Sequence, residues 1–273
     1  APYMLGQPAE ALQQEHLLRA AVPQDALRLH YQPQIEVSTG RLTGFEALVR
    51  WQHPERGLLG PDEFIPLAES RGLVTPIGRW VLREACRQIK AWQDEGLARV
   101  PVAVNVSAME FRQRDLVGEI KQVLADTGLD AQYLEIEITE TTLMQQPEQA
   151  RTTLDELRAL GVGVTVDDFG TGYSSLAYLK RYPLDKIKVD RSFVIDTPSD
   201  GEDVAIVTAI VQLARSLQLQ SVAEGVETPE QLGLLQRLGC ELAQGFGIAA
   251  PMDAGSAHAW LQMQPPAQTM TEA

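Results

Sequence analysis

The sequence predicts an α/β fold, a (β/α)8 TIM-like barrel whose first strand runs antiparallel to the others. Three observations predict it. Eight strand-like runs alternate with helical patterns over about 250 residues, the size and rhythm of such a barrel. Runs one and two are joined only by a hairpin-length turn, roughly Ser38, Thr39 and Gly40. A parallel neighbour needs a crossover of about a dozen residues or more, so this turn makes a hairpin and reverses the first strand. Finally, each run from the second onward sets at least one polar residue into or just after an apolar stretch.

The runs, in order, are LRLHYQPQIEV (27–37), LTGFEALVRW (42–51), VPVAVNVSA (100–108), YLEIEITE (133–140), VGVTVDD (162–168), KIKVD (186–190), QSVAEGV (220–226) and ELAQGF (241–246). Between them lie helices. GRWVLREACRQIKAWQDEG is amphipathic and stops at Gly96, and DLVGEIKQVLADTG stops at Gly128. PEQARTTLDELRALG begins with Pro147 and ends in Gly161, the proline-in, glycine-out asymmetry of a helix. EDVAIVTAIVQLARSLQL follows, and TPEQLGLLQRLG opens with Thr228 as N-cap and Pro229 in the first turn.

Residues 1–22 read as a linker with a connecting helix around Glu10 to Ala21. Residues 23–264 read as the barrel, and 265–273 as a disordered tail. The loose APYMLGQPAEA opening suggests a piece of a longer protein.

Composition narrows the chemistry. The chain has 273 residues, 44% of them hydrophobic, enough for a sizeable core. Its 23 basic and 37 acidic residues leave a net charge of −14. So acidic a surface argues against binding DNA or RNA polymers or anionic membranes. A phosphate-bearing substrate would need bound metal or well-placed Lys and Arg. No run approaches the roughly 18 apolar residues of a membrane helix, and no signal peptide opens the chain. The expected setting is cytoplasmic, for a domain that a membrane-anchored parent could tether. Cys86 and Cys240 are isolated, without C-x-x-C spacing, and read as buried thiols. His16, His30, His53 and His258 form no metal-binding pair and read as structural. No G-x-S-x-G, P-loop or G-x-G-x-x-G is present.

The polar residues of the strands form the candidate site. Strand two carries Glu46 and Arg50; the later ones supply Asn105, Glu137 and Glu140, Asp167 and Asp168, Lys188, Glu224, and Gln244. A single polar residue in a strand is commonly a satisfied core group. Seven successive strands each supplying one point instead to the face where a barrel gathers its catalytic groups. Glu46, Asn105, Glu137, Asp167, Asp168 and Glu224 are hard oxygen ligands suited to Mg²⁺ or Mn²⁺. Adjacent Asp167 and Asp168 repel each other and resist burial, which two cations would resolve. Two ions about 3.5–4 Å apart drive in-line attack on phosphorus. Arg50 offers a fork for a phosphate, and Lys188 could orient the attacking water or help deprotonate it. Proton abstraction beside a carboxylate, as in enolase-like barrels, stays open on these residues alone. Arg50 and the doubled aspartate favour phosphoryl chemistry.

EALVRW (46–51) is followed by QHPERGLLGPDEFIPLAE, with YQPQ before it. VAVNVSAMEF, LEIEITE, VDDFGTGYSSLAYLKRYPLDKIKVDRSF, VAEGVE and AQGF come after, in order, over residues 27 to 251. In these segments the chain resembles the EAL domains, which hydrolyse the bacterial second messenger cyclic di-GMP. The resemblance implies metal ligation by Glu46, Asn105, Glu137 and Asp167, with Asp168 on the second ion. It implies that Lys188 assists the water and that Glu224 and Gln244 hold it. Arg50 would touch a substrate phosphate, Gln32 and Leu48 would line the substrate site, and Glu140 would anchor the DDFGTGYSS loop. The product would be linear pGpG, with Mg²⁺ or Mn²⁺ as cofactor and Ca²⁺ as inhibitor. Partnership in a homodimer near the DDFG loop, within a longer multidomain signalling protein, is the matching expectation. Some members only bind the nucleotide, so a non-catalytic sensor or effector is the alternative. One stretch departs from the family pattern: in QGFGIAAPM, Gly247, Ala249 and Ala250 are smaller than usual, which bears on substrate affinity.

Overall fold

Strands β1 (Leu27–Glu36) and β2 (Leu42–His53) form the antiparallel hairpin that the short turn requires, with Gln32 opposite Glu46 and His30 opposite Leu48. The computed structural model describes residues 6–97, 99–112, 115–172 and 176–263. A short β3 (Gly57–Leu59) folds back on the end of β2. The parallel strands follow: β4 (Val102–Asn105), β5 (Leu134–Thr139), β6 (Gly163–Phe169), β7 (Lys186–Val189), β8 (Gln220–Ala223) and β9 (Leu242–Ala243). β1 pairs antiparallel with both β2 and β9, which closes the barrel. β10 (Met252–Asp253) pairs antiparallel with the middle of β1, at His30 and Tyr31.

The helices follow from local sequence. Val74–Asp94 starts four residues before the expected Gly78, because Pro76 sits in the first turn, where its missing N–H costs nothing. Its face of Ile77, Val81, Ala85, Ile89 and Trp92 is buried. Pro147–Leu160 ends at Gly161, whose φ of 88° is left-handed and favours glycine. Thr228 and Gln231 form a reciprocal capping box at the start of Pro229–Leu238.

Several strands are shorter than the sequence predicts. β4 stops at Asn105 because Ser107 already caps the next helix, Ala108–Phe111, in a box with Glu110. β8 stops at Ala223, and Gly225 then turns with a φ of 69°. The helices Pro61–Ser70, Glu140–Gln145 and Ala254–Met263 had no counterpart in the reading of periodicity. The first carries Pro66 inside it, which masks its pattern. A helix spans Gly6–Ala21 and buries Leu18 and Ala21 on the barrel. The expected tail at 265–273 lies outside the described residues.

The apolar core lies between the outer faces of the strands and the helices. Trp92 packs edge-on against Tyr31 at 5.0 Å and tilted against Phe45 at 5.5 Å. These contacts clamp β1 and β2 to their helix and so fix the side chains that alternate with them, Gln32 and Glu46, toward the barrel interior. That interior is polar. Cys86 and Cys240 are separate buried thiols. Among the described residues no helix is long and apolar enough to cross a membrane.

Candidate active site

The carboxyl ends of the parallel strands open on one face, and there Lys188 is the centre. Its Nζ lies 2.6 Å from Glu224 Oε1, 2.7 Å from Glu137 Oε2, 3.3 Å from Glu46 Oε2 and 3.4 Å from Asp167 Oδ1. Register explains the convergence. Asn105 is opposite Glu137, Glu137 opposite Thr165 and Thr165 opposite Lys186, so Lys188, the next inward-facing residue along β7, stands one step beyond that row and meets Glu137 through the stagger of the strands. Asn105 Nδ2 donates to Glu46 Oε1 at 2.7 Å, and Gln244 Nε2 donates to Glu46 Oε2 at 2.6 Å.

The electrostatics are those of an acid-rich pocket with one buried cation. Burial opposes the charge of Lys188, but Asp167, Glu137, Glu224 and Glu46 raise it well above the ordinary lysine value, so it is an ammonium. Burial alone would raise Glu46. Lys188, then Gln244 and Asn105, hold its carboxyl below the usual value instead. Burial, then the Glu46 charge, raise Glu137 well above its usual range. Burial pushes Glu224 up to about 8 despite Lys188. Burial, then Asp167 and Asp190, push Asp168 up to about 6. One ammonium cannot satisfy five carboxylates.

The donor set fits divalent cations. Glu137 Oε1 is buried and has no hydrogen-bond partner among the described residues. One oxygen each from Asp167, Asp168 and Glu224 lies within 4.8 Å of the others. Asp168 takes a φ of 55°, uncommon for a residue with a Cβ, and its N–H donates to Asp167 Oδ1 at 2.9 Å. Such backbone strain clusters at functional sites.

A cavity of about 420 Å³ adjoins the cluster, lined by Leu48, Asn105, Asp167 and Asp168 and by apolar Ile65, Ile77 and Val81. Gln32 is hydrogen-bonded to Gln244 at 2.9 Å. Arg50, two residues beyond Leu48 on the same face of β2, donates Nη1 to Val49 O and is not in the charge cluster. Glu140 Oε2 accepts from the Gly170 N–H at 3.3 Å, at the start of the DDFG turn; residues 173–175 of that loop lie outside the described residues.

Five residues escaped the sequence reading. Lys186 Nζ meets Glu135 Oε2 at 2.5 Å, and Thr165 also bonds Glu135, forming a second ionic layer inside the barrel. The patterns EIE (135–137) and KIK (186–188) carried that signal, since residues two apart share a strand face. Asp190 lies near enough to Asp168 for its charge to raise that carboxyl. Gln34 Nε2 donates to Gln244 Oε1 at 3.0 Å. The departing QGFGIAAPM stretch has a packing reason in part. A Cβ on Gly245 would lie 2.2 Å from Val226 backbone atoms, and one on Gly247 would lie 2.6 Å from the Glu227 backbone.

The family model of the EAL domain matches residues 15–251. The chain is 48% identical over 245 residues to the bifunctional diguanylate cyclase/cyclic di-GMP phosphodiesterase MucR of Pseudomonas aeruginosa, covering 90% of this chain and 36% of MucR. It is 45% identical over 275 residues to the cyclic di-GMP phosphodiesterase NbdA of the same organism, covering 99% of this chain and 35% of NbdA. It thus spans about a third of the length of these curated relatives. The solved structure of the PaMucR phosphodiesterase in complex with c-di-GMP superimposes with a TM-score of 0.88 at 47% identity, covering 90% of this chain and 99% of that one. A closed barrel with a reversed first strand, its acid-rich mouth and these matches have one meaning: the chain belongs to the EAL domain family.

Proposed function

We propose that the chain is a metal-dependent phosphodiesterase that hydrolyses cyclic di-GMP to linear pGpG. The observation that carries this reading is the convergence of four carboxylates on Lys188, with Asp168 beside them and Glu137 Oε1 unpartnered among the described residues, next to a cavity of about 420 Å³. Glu46, Asn105, Glu137 and Asp167 would hold one Mg²⁺ or Mn²⁺, and Asp167, Asp168 and Glu224 a second. Two such ions, when bound, clamp the attacking and leaving oxygens of an in-line displacement.

The remaining work falls to side chains. Lys188 would donate hydrogen bonds to the attacking water and orient it, or help deprotonate it once cations offset the surrounding carboxylates. Glu224, 2.6 Å from Lys188 Nζ, would help hold the water beside it. Gln244 holds Glu46 in place and would offer its amide oxygen to the water. Arg50, freed from Val49 O, would reach a substrate phosphate, and Leu48 and Gln32 would bound the nucleotide. Glu140 would steady the DDFG turn through Gly170.

The bifunctional relative supports a place within a longer signalling protein. A homodimer and a cytoplasmic setting complete the reading, and sedimentation of the purified chain tests the former.

The test is incubation with cyclic di-GMP and Mg²⁺ or Mn²⁺, with EDTA and Ca²⁺ controls, and chromatography of the products. Metal-dependent pGpG is the expected result. Retained binding with no product in any metal would establish the effector alternative instead.

A further inference from the structure

Three buried glutamines run in series to Glu46. Gln244 Nε2 donates to Glu46 Oε2 at 2.6 Å and to Gln32 Oε1 at 2.9 Å. Gln32 Nε2 passes on to Ala249 O at 3.0 Å. On the other side, Gln34 Nε2 donates to Gln244 Oε1 at 3.0 Å. The direction of this relay is set at its ends. An ionised carboxylate and a backbone carbonyl only accept, so the Gln244 NH2 must face Glu46 and the Gln32 NH2 must face Ala249. The oxygen of Gln244 then points at Gln34, which must present a donor.

The backbone is arranged around Gln34. The β1–β2 register shifts between Gln34 and Ile35, and such bulges re-aim a side chain. Its cross-strand partner is Gly44. A Cβ on Gly44 would stand 3.3 Å from Pro101 O and 3.6 Å from Gln34 Oε1. Gln34 is 2% exposed, and Gln244 is 4% exposed.

We propose that Gln34 is a positioning residue for the hydrolysis: its N–H fixes the orientation of the Gln244 amide, which holds Glu46 and, through Gln32, ties the segment after β9 to β1. This rests on the reading of the site as a two-cation phosphodiesterase centre. Gln34 touches neither Glu46 nor Lys188, so it acts through Gln244 alone.

Three variants test it. Gln34→Met keeps the volume and removes the donor. Gln34→Glu keeps the volume and offers an acceptor, drawing the Gln244 NH2 away from Glu46. Gln34→Lys restores a donor. The losses follow the worth of a neutral and of a charge-assisted hydrogen bond: kcat falls about fivefold in Gln34→Met and about thirtyfold in Gln34→Glu, with KM little changed. Gln34→Lys stays within about threefold of wild type, and Mn²⁺ affinity by titration calorimetry falls in the same order. A role in packing alone would spare Gln34→Met and separate nothing between Met and Lys. The proposal is overturned if folded Gln34→Met keeps its kcat and Mn²⁺ affinity, or if Gln34→Glu is no worse than Gln34→Met. Should Gln34→Glu melt below the assay temperature, the Met and Lys pair decides. The Mn²⁺ titration needs no turnover, so a wild-type chain that binds Mn²⁺ without hydrolysing would sink the functional reading and still judge this one.

Discussion

Glu137 on β5 and Lys188 on β7 reach across β6 to within 2.7 Å, and the second carboxylate oxygen of Glu137 is left buried without a partner. A buried pair with a spare acceptor is a poor device for stability alone, since desolvation offsets much of the attraction. It is a good device for receiving a cation.

Cation binding should stabilise the fold. A ligand at about a hundred times its dissociation constant adds about 2.7 kcal/mol. Melting in Mg²⁺ or Mn²⁺ is expected to occur several degrees above melting in EDTA. An unchanged midpoint would contradict the ligand set. Ca²⁺ should also raise the midpoint yet yield no pGpG, because its larger, looser coordination does not hold two ions at the required spacing.

Glu46→Ala should abolish hydrolysis. It removes the acceptor shared by Asn105, Lys188 and Gln244 and a candidate metal ligand at once. Product chromatography in metal-defined buffer checks this, and retained turnover would refute the site. Lys188→Met removes the cation that four carboxylates at the mouth share and should cost about 3–5 kcal/mol of stability in EDTA. Added Mn²⁺ should recover part of that loss, read by thermal melting.

Glu140→Ala should lower activity without unfolding the barrel. Glu140 holds the Gly170 N–H, so its loss loosens the turn that carries Asp167 and Asp168. Circular dichroism melts beside initial rates separate the effects. A large fall in midpoint would make Glu140 a structural group.

Stability in EDTA should fall as pH rises. Glu224 is raised to about 8 in the folded chain, above its unfolded value. The folded state therefore binds this proton more tightly, and the associated stability is full below the unfolded value and lost as pH climbs through about 8. Asp168, raised to about 6, contributes the same trend at lower pH. Because cations must displace these protons, metal affinity should rise with pH over that window. Calorimetry in buffers of different ionisation enthalpy reads the released protons. A flat affinity between pH 5 and 8 would show that these carboxyls are already ionised.

The sequence by itself determined the barrel, its reversed first strand and most of the acid cluster. Those are local properties. A hairpin-length turn excludes a crossover, and period-two alternation says which side chains face inward. What it left open is height. Glu135 and Glu137 both face inward, as do Gln32 and Gln34, yet nothing along either strand tells which partner lies level with which. Only closure and register put Lys186 beside Glu135, Lys188 beside Glu137, and Gln34 behind Gln244. Strand ends were illegible for a related reason. β4 and β9 stop where caps and close packing at the mouth take over their backbone groups, at Ser107 and at Gly245. The tertiary structure decided the polar network because a hydrogen bond across a barrel depends on stagger between strands, a quantity that no single strand contains.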